Sequence, residues 1–85
     1  MRQTQFDRDL KVAHKRGKDL QKISFIIKEL QNKKILPTKN RNHKLKGSYA
    51  SCFECHIEPD WLLIYKTTKI ELILIRTGSH SDLFE

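Results

Sequence analysis

Between positions 43 and 80 the chain carries residue types that together do proton and phosphate chemistry: His43, His56, Asp60, Arg76 and His80. Histidine trades a proton near neutral pH. A carboxylate orients an imidazole or favours its charged form. Arginine grips phosphate through two N–H groups and stabilises charge that develops there. As a set they suit cleavage of a phosphodiester. Trp61 and Phe84 add flat apolar faces on which bases of a single strand can stack. Each of these residues taken alone is more simply a surface, capping or packing residue. Their convergence in space carries the reading.

The fold must therefore gather them. Beyond Gly47 the apolar residues alternate or run in short blocks, the pattern of strands. Residues 49–57 predict a first strand, and Glu58, Pro59 and Asp60 a tight turn. Residues 61–66 are apolar on both faces, which predicts a central strand covered on both sides. Residues 67–69 make a second turn and 70–76 a third strand, with Ile70, Leu72 and Leu74 on one face and Ile73 and Ile75 on the other. Gly78 breaks it, and a short tail ends in Leu83, Phe84 and Glu85. In such a meander the end of strand one lies beside the start of strand two, which lies beside the end of strand three. His56, Asp60, Trp61 and Arg76 should meet at one edge of the sheet. His80 and Phe84 follow closely enough to fold back over it, and His43 sits just before strand one.

The N-terminal half predicts two helices. Thr4 caps the first, Asp7 lies in its opening turn, and Phe6, Leu10 and Ala13 share a face. Gly17 is its natural stop. Asp19 caps the second, whose stripe is Leu20, Ile23, Ile27 and Leu30 with Ile26 alongside; Asn32 and Pro37 mark its end. The pair reads as an antiparallel hairpin. Residues 33–47 are basic and mostly polar, a loop of the length that tends to be functional or disordered. The expected architecture is α+β: an N-terminal two-helix hairpin packed on a small antiparallel β-sheet, with the other sheet face partly open.

A chain of 85 residues makes one domain, 1–85. It buries only about 60% of the surface its unfolded form would expose, so an open groove is expected rather than a deep pocket. No apolar run approaches the roughly 20 residues of a membrane helix, and the first residues lack the apolar core of a signal peptide. A cytoplasmic protein with no membrane association and reduced cysteines is expected. The formal charge is +7 and unevenly placed. Residues 1–46 hold 14 Lys/Arg against 4 Asp/Glu, and residues 47–85 hold 3 against 6. A basic half points to a polyanion partner, and RNA, DNA and an acidic protein tail all fit. Lysines that merely solubilise two amphipathic helices fit the same charge equally well.

Residues 52–56, Cys-Phe-Glu-Cys-His, match the C-x-x-C-H pattern of c-type haem attachment. That chemistry needs export, and on a strand positions 52 and 55 point to opposite faces, so the thiols cannot share a haem or a zinc ion. Two buried thiols are the better reading. No second cysteine pair, Gly-rich phosphate loop or nucleophile triad appears. Neither a metal nor a cofactor is expected.

From His43 to Phe84 the chain resembles the YafQ branch of the RelE-like toxins. Asn42-His43-Lys44-Leu45-Lys46-Gly47 is similar to the family's His-x-Leu-x-Gly element. Cys55-His56-Ile57-Glu58-Pro59-Asp60-Trp61 is similar to its His-x-x-Pro-Asp-Trp turn. Arg76-Thr77-Gly78-Ser79-His80 is similar to its closing Arg-x-Gly-x-His element, followed by Leu83-Phe84. The motifs cover half the chain and keep family spacing. Three positions depart from the pattern: Phe53 stands where Arg is common, Asn42 where Asp is usual, and Lys44 where Pro is common.

The resemblance implies a RelE-like fold and a ribosome-dependent mRNA endoribonuclease that cuts the message in the A site and inhibits translation. It implies a cognate antitoxin of the DinJ or RelB kind, usually a dimeric DNA-binding protein with an extended acidic segment. Its functional positions fall on His43, His56, Asp60, Arg76, His80 and Phe84, with Trp61 beside them. In this reading the 2′-hydroxyl attacks the adjacent phosphate and leaves a cyclic phosphate. His80 is the general acid, and His56 supported by Asp60 the base. Arg76 stabilises the transition state and His43 orients the phosphate. Trp61, Phe84, Lys44 and Lys46 bind substrate. Two other functions remain open: a non-catalytic toxin of the same superfamily, like the ParE toxins that poison gyrase, and a basic RNA-binding module without activity. Clustered histidines favour the nuclease.

Overall fold

Trp61, Leu62, Leu63, Ile64 and Tyr65 are consecutive in sequence and all buried. A strand whose side chains alternate can bury five in a row only if both faces are covered. The computed structural model, which describes residues 2–84, is arranged around that requirement. Met1 and Glu85, the two ends of the expected domain, lie outside the described residues.

The elements are α1 (Thr4–Lys15), α2 (Leu20–Gln31), β1 (His43–Lys44), β2 (Phe53–Glu58), β3 (Trp61–Thr67), β4 (Leu72–Gly78) and α3 (His80–Phe84). The strands form one antiparallel sheet in the order β1-β2-β3-β4. The architecture is the expected α+β, with a helix hairpin on a small antiparallel sheet. It has a fourth short strand, β1, where a loop was expected, and a closing helix, α3, where a tail was expected. On the helix side, Phe6, Ala13, Ile23 and Ile26 pack on Cys55, Trp61, Leu63, Tyr65 and Leu74. On the other side Leu62 and Ile64 are covered by Cys52 and Leu83, with Leu45, Tyr49 and Ile75 against them. Among the described residues no helix is long and apolar enough to cross a membrane.

Local chemistry sets the boundaries. Thr4 is the first residue of α1 and not its cap; Gln3 precedes it and makes no side-chain cap bond. The segment before the helix is drawn to the sheet instead: Gln3 N donates to Leu74 O at 3.0 Å, and Arg2 bridges to Leu74. Gly17 ends α1 with φ +79, where Gly17 N donates to His14 O and Lys18 N to Ala13 O. This is the paired C-terminal bonding that a left-handed glycine permits. Asp19 caps α2 as expected, its carboxylate accepting from Gln21 N at 3.0 Å. The first long strand begins later than expected. Residues 47–52 turn instead, with Ala50 N donating to Gly47 O and Cys52 N to Tyr49 O. The third also begins later, because the Thr68 hydroxyl accepts from the N–H groups of Ile70 and Glu71 and prolongs the turn.

Helix α3 is short, and contacts at its start hold it. Ser79 N donates to Asp82 Oδ2 at 2.9 Å while Asp82 N donates to Ser79 Oγ at 3.2 Å. This reciprocal pair satisfies donors that a helix start leaves orphaned. Arg16, at the end of α1, donates through Nη1 and Nη2 to both Asp82 oxygens, at 2.6 and 3.2 Å. Gly78 lets the turn close: a Cβ there would stand 2.9 Å from both Cβ and Oδ2 of Asp82.

Two expectations follow. Phe6 is fully buried between the helices and the sheet, so Phe6→Ala should cost about 3–5 kcal/mol. That is a large part of the roughly 5–15 kcal/mol that holds a small domain together. Denaturant unfolding measures it, and a loss under about 1 kcal/mol would contradict the packing described. The second concerns acid. Arg16 and the Ser79 N–H hold the Asp82 carboxyl down at about 2, below its ordinary value. A depressed carboxyl stabilises the fold above its unfolded value and loses that contribution as the pH falls through its folded one. Thermal melts of the parent and Asp82→Asn should therefore differ at pH about 6 and converge between pH about 4 and about 2. A gap that stayed constant with pH would contradict the pairing.

Candidate active site

The open end of the sheet face opposite the helix hairpin collects the polar residues. Side chains two apart on a strand share a face, so Glu54 and His56 of β2 stand on the face away from the hairpin. β1 adds His43 to that face, because His43 pairs directly with Glu54 in the register. Two backbone devices fix these positions. Asn40, buried within the 3-10 turn Thr38–Asn40, donates from Nδ2 to His56 O at 2.7 Å. Arg41 adopts φ +47 and presents its carbonyl to His43 Nδ1 at 2.7 Å.

Glu54 is the centre of the group and is only 4% exposed. Its Oε1 lies 3.3 Å from His56 Nε2 and 3.5 Å from His43 Nε2. The other nitrogen of His56 faces Pro59 O at 3.2 Å. A carbonyl only accepts, so in both histidines Nδ1 is the donor to the backbone and Nε2 is the nitrogen turned to the carboxylate.

His80 comes from the other side. Its ring centroid is 5.7 Å from that of His56 and 6.2 Å from that of Phe84. Asp60 Oδ1 accepts from both His80 N, at 3.0 Å, and His80 Nδ1, at 2.9 Å. These bonds hold the Asp60 carboxyl below the ordinary carboxylate range, the backbone N–H contributing most. With Nδ1 so engaged, Nε2 is the ring nitrogen that Asp60 does not use. Phe84 meets Tyr49 edge to face at 5.8 Å and remains partly exposed.

The structure redistributes the expected roles. Asp60 was expected to support His56; it pairs with His80, because its turn faces the start of α3, and Glu54 takes the place beside His56. Trp61 was expected to stack on bases, but it is 1% exposed. The pleat of β3 turns its ring to the helix side, where Nε1 donates to Thr77 Oγ1 at 3.0 Å and Lys18 Nζ lies 5.8 Å from the ring centroid. Arg76 is not among the histidines. It stays at the rim, its guanidinium held by Asp9 at 2.7 Å and within reach of Tyr49. Lys44 and Lys46 are exposed, and Lys44 pairs with Phe53 on the face opposite His43. Phe53 stacks on Tyr65, with centroids 5.7 Å apart, and Asn42 Oδ1 accepts from the Tyr65 hydroxyl at 2.6 Å. These two departures from the family pattern therefore build a small aromatic support for the loop.

Glu54, Asn40 and Asp9 were missed in the sequence. Glu54 carried a usable signal, since it lies two residues before His56 on a strand. Glu54, His56 and His80 also offer ligand atoms within 4.8 Å of one another. An imidazole and carboxylate set of that kind suits a divalent transition metal. The thiols play no part: Cys52 and Cys55 fall in core clusters on opposite faces. Burial pushes the Cys55 thiol up to about 12.

Comparison with known proteins agrees with the fold. The profile of the YafQ family, described as a bacterial toxin of type II toxin-antitoxin systems, matches residues 1–85. The mRNA interferase toxin YafQ of Escherichia coli strain K12 is 42% identical over 81 residues, which is 94% of this chain and 88% of that protein. The crystal structure of YafQ from E. coli strain BL21(DE3) superposes with a TM-score of 0.95 at 39% identity, covering 99% of this chain and 94% of that one. YafQ in the E. coli DinJ-YafQ toxin-antitoxin complex gives 0.91 at 40%, covering 99% and 93%. A metal-bound toxin from Helicobacter pylori gives 0.90 at 41%, covering 98% and 94%. A match over the whole length, with the same fold, shows that this chain belongs to the YafQ family of bacterial type II toxin-antitoxin toxins.

Proposed function

We propose that this chain is an mRNA interferase, an endoribonuclease that cuts messages on the ribosome in the cytoplasm and is restrained by a cognate antitoxin. The observation that carries the reading is the Glu54 carboxylate set between the Nε2 atoms of His56 and His43, with His80 beside them on an open face. Proton transfer needs an acid and a base on either side of the scissile phosphate. Here Glu54 Oε1 takes the proton of the 2′-hydroxyl as that oxygen attacks the adjacent phosphorus. The bond from phosphorus to the 5′-oxygen breaks, and His80 Nε2 delivers a proton to the departing oxygen. The products are a 2′,3′-cyclic phosphate and a 5′-hydroxyl. Arg76, at the rim, offers N–H donors to the charge that gathers on the phosphorane, while the Nε2 atoms of His43 and His56 hold the Glu54 carboxylate in place. Asp60 fixes the His80 ring so that Nε2 faces the RNA. Phe84, half-exposed beside His80, stacks on a base next to the cut.

The basic half of the chain serves the same end. The exposed lysines and arginines of residues 33–46, Lys44 and Lys46 among them, lie on the segment that carries His43 and meet backbone phosphates beyond the histidine face. The E. coli relative is known in complex with DinJ. A DinJ-like antitoxin with an acidic segment would be drawn to the same charges. The clustered proton donors favour this nuclease over a gyrase-directed toxin.

His80→Ala and Glu54→Gln should each slow cleavage by about 10²–10⁴-fold, the usual contribution of general acid–base catalysis. Both should retain the parent's circular dichroism and melting behaviour. The assay is cleavage of a message bound to purified ribosomes, paired with growth after induction. A folded variant that cuts at the parent rate would remove its residue from the mechanism.

A further inference from the structure

We infer that Asp9 is a positioning residue for the cleavage reaction, acting through Arg76. The inference rests on the role proposed above for Arg76 as a donor to the phosphorane. Asp9 lies in α1 next to the apolar stripe and is 9% exposed, an expensive place for a carboxylate unless its oxygens are fully engaged. They are. Oδ2 accepts from Arg76 Nε at 2.7 Å and from Thr77 N at 3.1 Å. Oδ1 accepts from Arg76 Nη2 at 3.3 Å and from Gln5 Nε2 at 3.1 Å.

One carboxylate thus fixes a guanidinium edge and the backbone beside it. Thr77 is held again from its side chain, which accepts from Trp61 Nε1 and donates to Leu62 O at 2.6 Å. Asp9 occupies Nε and Nη2 of Arg76, leaving Nη1 as the guanidinium nitrogen that Asp9 does not engage. An unrestrained arginine samples many rotamers and must be ordered when charge develops. A guanidinium ordered beforehand costs no reorganisation at that moment.

A simple structural clamp between α1 and β4 would use the same bonds, so the test must separate the two. Single-turnover cleavage on ribosomes is measured for the parent, Asp9→Asn, Arg76→Ala and the double variant, with melting curves for each. Asp9→Asn should slow cleavage by about 10- to 100-fold, up to what a misplacement of about 1 Å can cost, with ribosome affinity changed by less than about 2-fold. In the Arg76→Ala background it should add nothing, the signature of two residues acting as one. Asp9→Glu should recover part of the rate. Equal slowing in both backgrounds, or a folded Asp9→Asn that cuts like the parent, overturns the inference. If Arg76→Ala itself cuts like the parent, the assignment of Arg76 has failed first. A second measurement needs no variant. The Arg76 Nε–H of the free protein should give an ordered, exchange-protected NMR signal, and one as mobile as that of exposed Arg41 overturns the inference.

Discussion

The double-sided burial of β3 is the constraint on which the rest of the structure depends. Five consecutive buried side chains need two covered faces, and the hairpin of α1 and α2 can cover only one. The other face is closed by small pieces: Leu45 after β1, Tyr49 in a 3-10 turn, and Leu83 in α3. Glu54 and His56 lie on this same face and are buried with it. The pieces also carry chemistry beside them. His43 precedes Leu45, His80 and Phe84 flank Leu83, and Tyr49 reaches Arg76. Closing the second face and assembling the candidate site are therefore one event in the fold.

Several cations near the site have an assigned carboxylate. Asp60 takes His80, Glu54 takes His56 and His43, Asp9 takes Arg76, Asp82 takes Arg16, and Glu58 takes Lys18 and Lys22. The exposed pairs among them, such as Asp60–His80 and Lys22–Glu58, add little stability. What they supply is direction. A short helix with one turn of its own hydrogen bonds would let His80 swing freely. Tied to α1 through Asp82 and to the β2–β3 turn through Asp60, it presents one nitrogen. Metal-ligating geometry arises from the same compactness, because groups close enough to pass a proton are close enough to share an ion.

The sequence made the sheet legible because burial writes itself into alternation. The run from Trp61 to Tyr65 identified the central strand, and meander topology then brought His56, Asp60 and His80 to one end. Gly17 and Asp19 marked the hairpin for equally local reasons. What was not legible depends on which neighbour a side chain chooses. Asp60 lies close to two histidines, and only the path of α3 decides that it bonds to His80. Trp61 follows Asp60 directly, yet the pleat of β3 sends its ring to the opposite face. Glu54 resembled any solvated glutamate on a strand until β1 added His43 opposite it, and two residues of pairing leave almost no pattern to read. The Asp9–Arg76 pair joins positions 67 apart, with nothing local to announce it.

In the proposed reaction a ribose hydroxyl, activated at Glu54 and answered by His80, is the attacking group. A message with a single 2′-deoxy nucleotide placed just before a mapped cleavage position tests this most directly. On ribosomes with the parent toxin, that position should resist cleavage while the all-ribose message is cut there to a 2′,3′-cyclic phosphate. The toxin should still bind both complexes equally. Cleavage of the deoxy-substituted message at the same position and rate would contradict the claim, because the bond would then be broken without the hydroxyl that the site is built to activate.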